Sequence, residues 1–257
     1  MNHTALITGA SSGIGKALAF EYAANGFDLI ITARDEAALN AVAEECRNKF
    51  SVKVAVLVAD LSDPIATDEL ANHISTQEIH TLINNAGGAV KGEFAETDLD
   101  AELAMLNVQL AAMIKLTKAA LPKMIAAGKG RIVNIASVYS FSAVPKQAVY
   151  GASKAFMLSF SAALDNEVRG KGITVTAVCP GTTRTEFRKR IGITDSEGKG
   201  MPAETVAKAA FAASESGVLV VVPGFWNKAF AFVSRHLSPT AAAKLVSYIN
   251  DRRGVNK

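Results

Sequence analysis

Tyr150-Gly151-Ala152-Ser153-Lys154 sets a phenol and an ammonium four residues apart. On a helix, positions i and i+4 are neighbours on one face, so the two groups would share a site. A tyrosine with an ordinary pKa of roughly 10 is inert at neutral pH, and it becomes a usable acid or base when a fixed positive charge favours its anion. The same spacing also arises by chance, so the pair needs partners before it means catalysis. Ser137, at the end of the strand expected over 131–136, offers a hydroxyl. Asn107 lies between Leu103, Leu106, Leu110 and Ile114, where an amide must find a partner or cost energy, and a satisfied core asparagine is its ordinary reading.

Such side chains act only if the backbone positions them and a co-reactant. The first unit reads as a strand over 5–8, a turn Gly9-Ala10-Ser11-Ser12-Gly13-Ile14-Gly15, a helix over 16–24 and a second strand over 27–33. Glycines between strand and helix let the backbone approach a pyrophosphate closely, and the helix N-terminus offers unpaired N–H groups to the anion. The spacing is G-x-x-x-G-x-G, not the usual dinucleotide pattern. It is not a Walker loop either: Ala10 and Ala17 stand where that loop has a glycine and a hydroxyl, which disfavours a phosphotransferase. Turn glycines with a purely structural role remain the alternative.

About twenty residues past the turn, an acid suits the ribose hydroxyls of NAD, whereas a guanidinium suits a 2′-phosphate. The chain has Arg34 followed by Asp35. Arg34 points to NADP with NAD less favoured, because Asp35 also makes sense as an acid in the first turn of the next helix. Alternation continues with strands over 52–59 and 81–83, a helix within 64–76, a long helix over 98–126, and strands over 131–136, 173–179 and 218–222. Polar and glycine residues follow the strand ends at Asp60-Leu61, Asn84-Asn85-Ala86-Gly87-Gly88 and Pro180-Gly181, where open α/β sheets bind ligands.

A chain of 257 residues with 49% hydrophobic and 20% charged residues is long enough for one large α/β core. The net charge of +3 is mild and spread out, which argues against a nucleic-acid partner; the densest basic cluster is Arg184, Arg188, Lys189 and Arg190. Two cysteines and four scattered histidines give neither a disulfide framework nor a metal site. With no apolar signal core and no run long enough to span a bilayer, a cytoplasmic location is expected.

Taken together, Thr8-Gly9-x-x-x-Gly13-x-Gly15, Asn84-Asn85-Ala86-Gly87, Asn107, Ser137, Tyr150-x-x-x-Lys154 and Pro180-Gly181 resemble the short-chain dehydrogenase/reductase family over roughly residues 4–224. The resemblance implies an α/β fold: a single Rossmann-like domain over 1–224, a doubly wound seven-stranded parallel sheet with helices on both faces. It makes Tyr150 the acid/base, Lys154 the group that lowers its pKa and holds the nicotinamide ribose, and Ser137 the hydroxyl that orients the substrate oxygen. Asn107 would hold a water in a proton relay to Lys154. Cofactor contacts fall on Gly9, Ser11, Ser12, Gly13, Ile14 and Gly15, on Arg34, on Asp60 and Leu61 at the adenine, and on Asn85, Ala86 and Gly87. Pro180, Gly181 and Thr183 continue the set, with Thr185 at the carboxamide. Lys16 could approach the phosphates or be an ordinary surface lysine.

The function so implied is NADP(H)-dependent interconversion of a ketone or aldehyde and an alcohol, on a lipophilic or acyl substrate suggested by Val138, Phe141 and Val144. Its rivals are an NAD-linked dehydrogenase of a hydroxysteroid, sugar or hydroxyacyl compound, and a non-catalytic NADP-sensing regulator, against which the intact Tyr150, Lys154 and Ser137 set counts. A homodimer or homotetramer through the helices around Asn107 and Tyr150 is expected. Residues 186–203, rich in glycine and polar residues, suit a substrate lid. Residues 225–257 form a helical extension with a stripe of Trp226, Ala229, Phe230, Val233 and Leu237, expected over the cleft or a subunit interface in preference to a membrane surface.

Overall fold

The structure, a computed structural model, describes residues 3–187 and 200–252. Seven strands form one parallel sheet: β1 (Thr4–Thr8), β2 (Asp28–Ala33), β3 (Val54–Val58), β4 (Thr81–Asn84), β5 (Gly130–Ile135), β6 (Ile173–Val178) and β9 (Val220–Val221). The order is β3-β2-β1-β4-β5-β6-β9, so the chain winds outward in one direction from β1 and in the other from β4. Between those two strands lies the topological switch point, where a crevice opens at the carboxyl ends. Two short strands, β7 (Thr183–Arg184) and β8 (Met201–Pro202), pair separately.

The strands read as apolar runs because both faces are covered. Neighbours point opposite ways: Ile7 packs with Leu18 and Tyr22 of α1 (Gly13–Ala24), Leu39 of α2 (Glu36–Phe50) and Val206 of the helix Ala203–Glu215. Leu6 faces the other layer, with Ile74 of α3 (Pro64–Ser75), Leu116 and Leu164. Asp35, Asp63 and Asp98 each accept a backbone N–H at a helix start, capping α2, α3 and α4 (Leu99–Leu106).

Three expectations change in detail. Helix α1 begins at Gly13, not at residue 16, because Gly13 and Gly15 belong to its first turn. Strands β3 and β9 are shorter than read, since the apolar residues flanking them join loops. The helix expected over 98–126 is α4, a π-turn Asn107–Ala111 and α5 (Ala112–Ala127), with Ala112 N–H reaching the Asn107 carbonyl. Helices α6 (Ala148–Val168), α7 (Ala203–Glu215), α8 (Phe225–His236) and α9 (Pro239–Arg252) complete the chain. No helix among the described residues is long and apolar enough to cross a membrane.

Candidate active site

A cavity of about 840 Å³ opens at the carboxyl ends of the strands. Its first wall is the glycine turn. Gly9 (φ +66°) and Gly13 (φ +56°) occupy left-handed conformations that a side chain resists, and a Cβ on Gly15 would collide with the Gly9 carbonyl. Across the switch point, Thr8 Oγ1 accepts the N–H groups of Asn85 and Ala86, each at 2.9 Å, while Asn85 Nδ2 donates to the Thr8 carbonyl at 2.8 Å. The Asn85 amide therefore ties the loop after β4 to the glycine turn. Deeper in the sheet, Asn84 Nδ2 donates to Asn134 Oδ1 at 2.8 Å and Asn134 Nδ2 to Ser161 at 2.9 Å, which fixes β4, β5 and α6 against one another.

Of the apolar residues expected at the substrate, Val138 lines this cavity and Phe141 and Val144 do not. Of the catalytic and cofactor residues expected from the resemblance, all but one line it: Gly9, Ser11 to Gly15, Arg34, Asp60, Leu61, Asn85 to Gly87, Ser137, Tyr150, Lys154, Pro180, Gly181, Thr183 and Thr185. The exception is Asn107. Its Nδ2 donates to the Ser62 carbonyl at 3.2 Å and its carbonyl closes the π-turn, so the side chain supports a loop. Within the same turn, buried Gln109 donates to the Gly88 carbonyl at 2.9 Å, a wall contact that the apolar surroundings of the sequence hid. Lys16 pairs with Glu45 at 3.1 Å outside the cavity, the surface reading of that residue.

Tyr150, Lys154 and Ser137 come together from α6 and the end of β5, all at least nine-tenths buried. The Ser137 hydroxyl is near enough to the phenol to favour its anion. Ser137 Oγ also accepts the Tyr139 N–H at 3.1 Å, leaving its proton to donate into the cavity. Lys154 Nζ donates to the Ile135 carbonyl at 2.9 Å and lies 5.7 Å from the Tyr150 ring centre. Burial pushes the Tyr150 phenol up to about 12 against the opposing influence of the Ser137 hydroxyl, and burial brings the Lys154 ammonium down to about 7. Desolvation outweighs the Ser137 contribution, so the phenol holds its proton at neutral pH.

At the far end, Arg34 is exposed and lies 3.6 Å from Asp60. Burial raises the Asp60 carboxyl, but hydrogen bonds from Ser62 and the Arg34 charge prevail and hold it below the ordinary range. Asp35 is engaged as a helix cap through Ala38 N–H at 2.9 Å. The extension closes the near end with Trp226, Asn227 and Phe230 of α8 and Val246, Ile249 and Asn250 of α9. Its expected stripe is only partly covered. Trp226 is 81% and Val233 46% exposed, whereas Ala231 and Ser234 pack inward, because small residues let α8 approach closely. Residues 188–199 of the expected lid, with Arg188, Lys189 and Arg190, lie outside the described residues.

Both cysteines are free and buried, and burial pushes Cys179 up to about 12, so neither is poised as a nucleophile. Among the described residues no group of three or more His, Cys, Asp or Glu is placed to hold a metal ion. The glycine cradle, a carboxyl-end crevice and an exposed guanidinium fit a dinucleotide phosphate cofactor.

Comparison with known proteins agrees in kind. A family model described as short chain dehydrogenase matches residues 3–195. Sulfoacetaldehyde reductase 2 of Chromohalobacter salexigens is 38% identical over 73% of this chain and 75% of its own. Very-long-chain 3-oxoacyl-CoA reductase of Mus musculus is 34% identical over 72% of this chain, a match spanning 61% of that longer protein. Among solved structures, a short-chain dehydrogenase from Sphingobium yanoikuyae in complex with NADPH superposes with a TM-score of 0.83 and 34% identity, covering 98% of this chain and 94% of that one.

Proposed function

The chain belongs to the short-chain dehydrogenase family, and from that premise we propose that it is an NADPH-dependent reductase of a lipophilic ketone, aldehyde or acyl-type carbonyl. The observation that carries the reading is the buried Tyr150, Ser137 and Lys154 set at one end of a cavity whose other end carries the glycine cradle and Arg34. When bound, the nicotinamide cofactor supplies a hydride to the carbonyl carbon, or accepts one from the alcohol. The turn from Gly9 to Gly15 would hold its pyrophosphate, Arg34 a 2′-phosphate, and Lys154 the nicotinamide ribose.

The chain's own groups manage the oxygen. Tyr150, protonated at neutral pH, donates its proton there as negative charge develops, and Ser137 donates a second hydrogen bond to the same atom. Lys154 lies close enough to offset charge on the phenolate left behind. The apolar side chains of Val138, Phe230, Val246 and Ile249 suit a neutral hydrocarbon portion of the substrate and keep water away from the transfer. NADPH is favoured over NADH because Asp35 is committed to capping α2, and the exposed Arg34–Asp60 pair is weak enough for a 2′-phosphate to compete. Exposed Leu99, Leu103 and Phe156 suit assembly through the helices around Asn107 and Tyr150, to be checked by light scattering.

The test is a panel of ketones, aldehydes and 3-oxoacyl thioesters assayed with both reduced cofactors. Turnover with NADPH over NADH is expected. Absence of turnover on every carbonyl, with NADPH nevertheless bound, would favour a cofactor-sensing protein instead.

A further inference from the structure

We propose that Gln147 selects the substrate: its amide donates a hydrogen bond to a second, neutral oxygen carried near the reacting carbonyl, as in a 3-oxoacyl ester or thioester. This rests on the carbonyl reductase reading above. Gln147 is the N-cap residue of α6, three positions before Tyr150, so its side chain and the phenol start from neighbouring points at one helix end. It is 6% exposed and lines the cavity. Among the described residues its amide has no hydrogen-bond partner, yet it is not sealed away as Gln109 Oε1 and Asn250 Nδ2 are.

Several other polar side chains at this end already have work. Asn250 Oδ1 accepts the Tyr139 hydroxyl at 3.0 Å, Asn227 donates to the Pro223 carbonyl at 2.7 Å, and Thr183 donates to the Gly181 carbonyl at 3.1 Å. Ser137 and Tyr150 are aimed at the reacting oxygen. A primary amide that opens on the cavity with no protein partner has donors and an acceptor to offer there, so Gln147 matches a ligand that brings an oxygen to that spot. That oxygen is neutral. The acidic and basic residues lining the cavity, among those described and besides the phenols of Tyr139 and Tyr150, are Arg34, Asp35, Asp60, Lys154 and Glu186. The first three follow β2 and β3, and Lys154 is bonded to the Ile135 carbonyl. A carboxylate or sulfonate beside Gln147 would therefore lack a cation among these residues, whereas an ester or thioester carbonyl needs only the N–H that Gln147 offers.

The experiment measures, with NADPH, the ratio of kcat/KM for a 3-oxo ester to that for a chain-length-matched simple ketone in wild type, Gln147→Leu and Gln147→Glu. Both substrates meet the same preparation, so the ratio is independent of the fraction of folded enzyme. A fall of about five- to tenfold is expected in both variants, since leucine cannot hydrogen-bond and a carboxylate accepts but cannot donate. The same loss should appear in Kd when the matching 3-hydroxy ester and plain alcohol are titrated into NADPH-saturated protein, where no hydride can move. Unchanged ratios in both variants, or retention in Gln147→Leu, would overturn the role of Gln147 and leave the reductase reading intact. A wild type that reduces neither substrate would overturn both.

Discussion

Burial is the largest influence on the titration of both Tyr150 and Lys154. A phenol pushed up to about 12 keeps its proton at neutral pH and is suited to donate it to a developing alkoxide, the reductive direction. Tyr150→Phe removes that proton and keeps a ring to pack against Tyr139 and Phe187. We expect kcat/KM to fall by about a thousandfold while the Kd for NADPH, followed by fluorescence, stays near wild type; undiminished turnover would remove Tyr150 from the mechanism. Lys154 makes a second prediction, in stability. Its folded pKa of about 7 is below the ordinary lysine value, so between these two values the unfolded chain binds more protons and wild-type stability rises with pH. Lys154→Met has no such group. It should melt above wild type at pH 6, where the native protein keeps an ammonium buried, and the gap should narrow as pH rises from 7 to 9. A gap that does not change with pH would show that Lys154 does not titrate there.

At the level of elements, the site is held by contacts between distant parts of the chain. Gly15 lets α1 start against the Gly9 carbonyl, so Gly15→Ala must displace the cradle. We expect a weakening of NADPH binding of at least tenfold by fluorescence titration, and wild-type affinity would argue against phosphate binding there. Helix α9 is anchored by Asn250 to the Tyr139 hydroxyl, and Tyr139 in turn gives its N–H to Ser137. Asn250→Leu should raise KM for the carbonyl several-fold with little change in the Kd for NADPH; if both move together, the cofactor end is also disturbed. The glycines, the phenol–ammonium pair and strand alternation were legible because each is a local pattern. The Asn250 contact joins residues 111 apart, and Gln147 matters because of what does not touch it, so neither leaves a sequence signal. The π-turn at Asn107 hid within a helix-like apolar pattern, since periodicity continues through such a turn. Of the stripe expected on α8, Trp226 and Phe230 reach the cavity, while the buried residues of that helix are the small Ala231 and Ser234. Arg235 stacks over Phe141 at 4.3 Å and Arg252 over Tyr248 at 5.0 Å, so these two cations of the extension, which could otherwise meet anionic lipid, pack on the protein's own rings. Liposomes with anionic lipid should accordingly leave the protein in the unbound fraction on flotation.

Across the whole molecule, the reversal of winding between β1 and β4 opens one crevice, and the sequence supplies its two ends with different chemistry. On the proposed reading, Arg34, at the end of β2, would serve the cofactor, and Tyr150 with Ser137, beyond β5, would serve the carbonyl. Arg34→Ala should cut the preference for NADPH over NADH by about ten- to a hundredfold, the worth of a charge-assisted contact to phosphate. Equal wild-type affinities for the two cofactors would refute that assignment. The central claim, hydride transfer to a carbonyl completed by Tyr150, is tested most directly with NADPH deuterated at the transferable position of the nicotinamide. Wild type should deliver one deuterium to the carbinol carbon of the alcohol product, detected by mass spectrometry, and Tyr150→Phe should form almost none of that product. A product without deuterium, or equal labelled product from both proteins, would contradict the account.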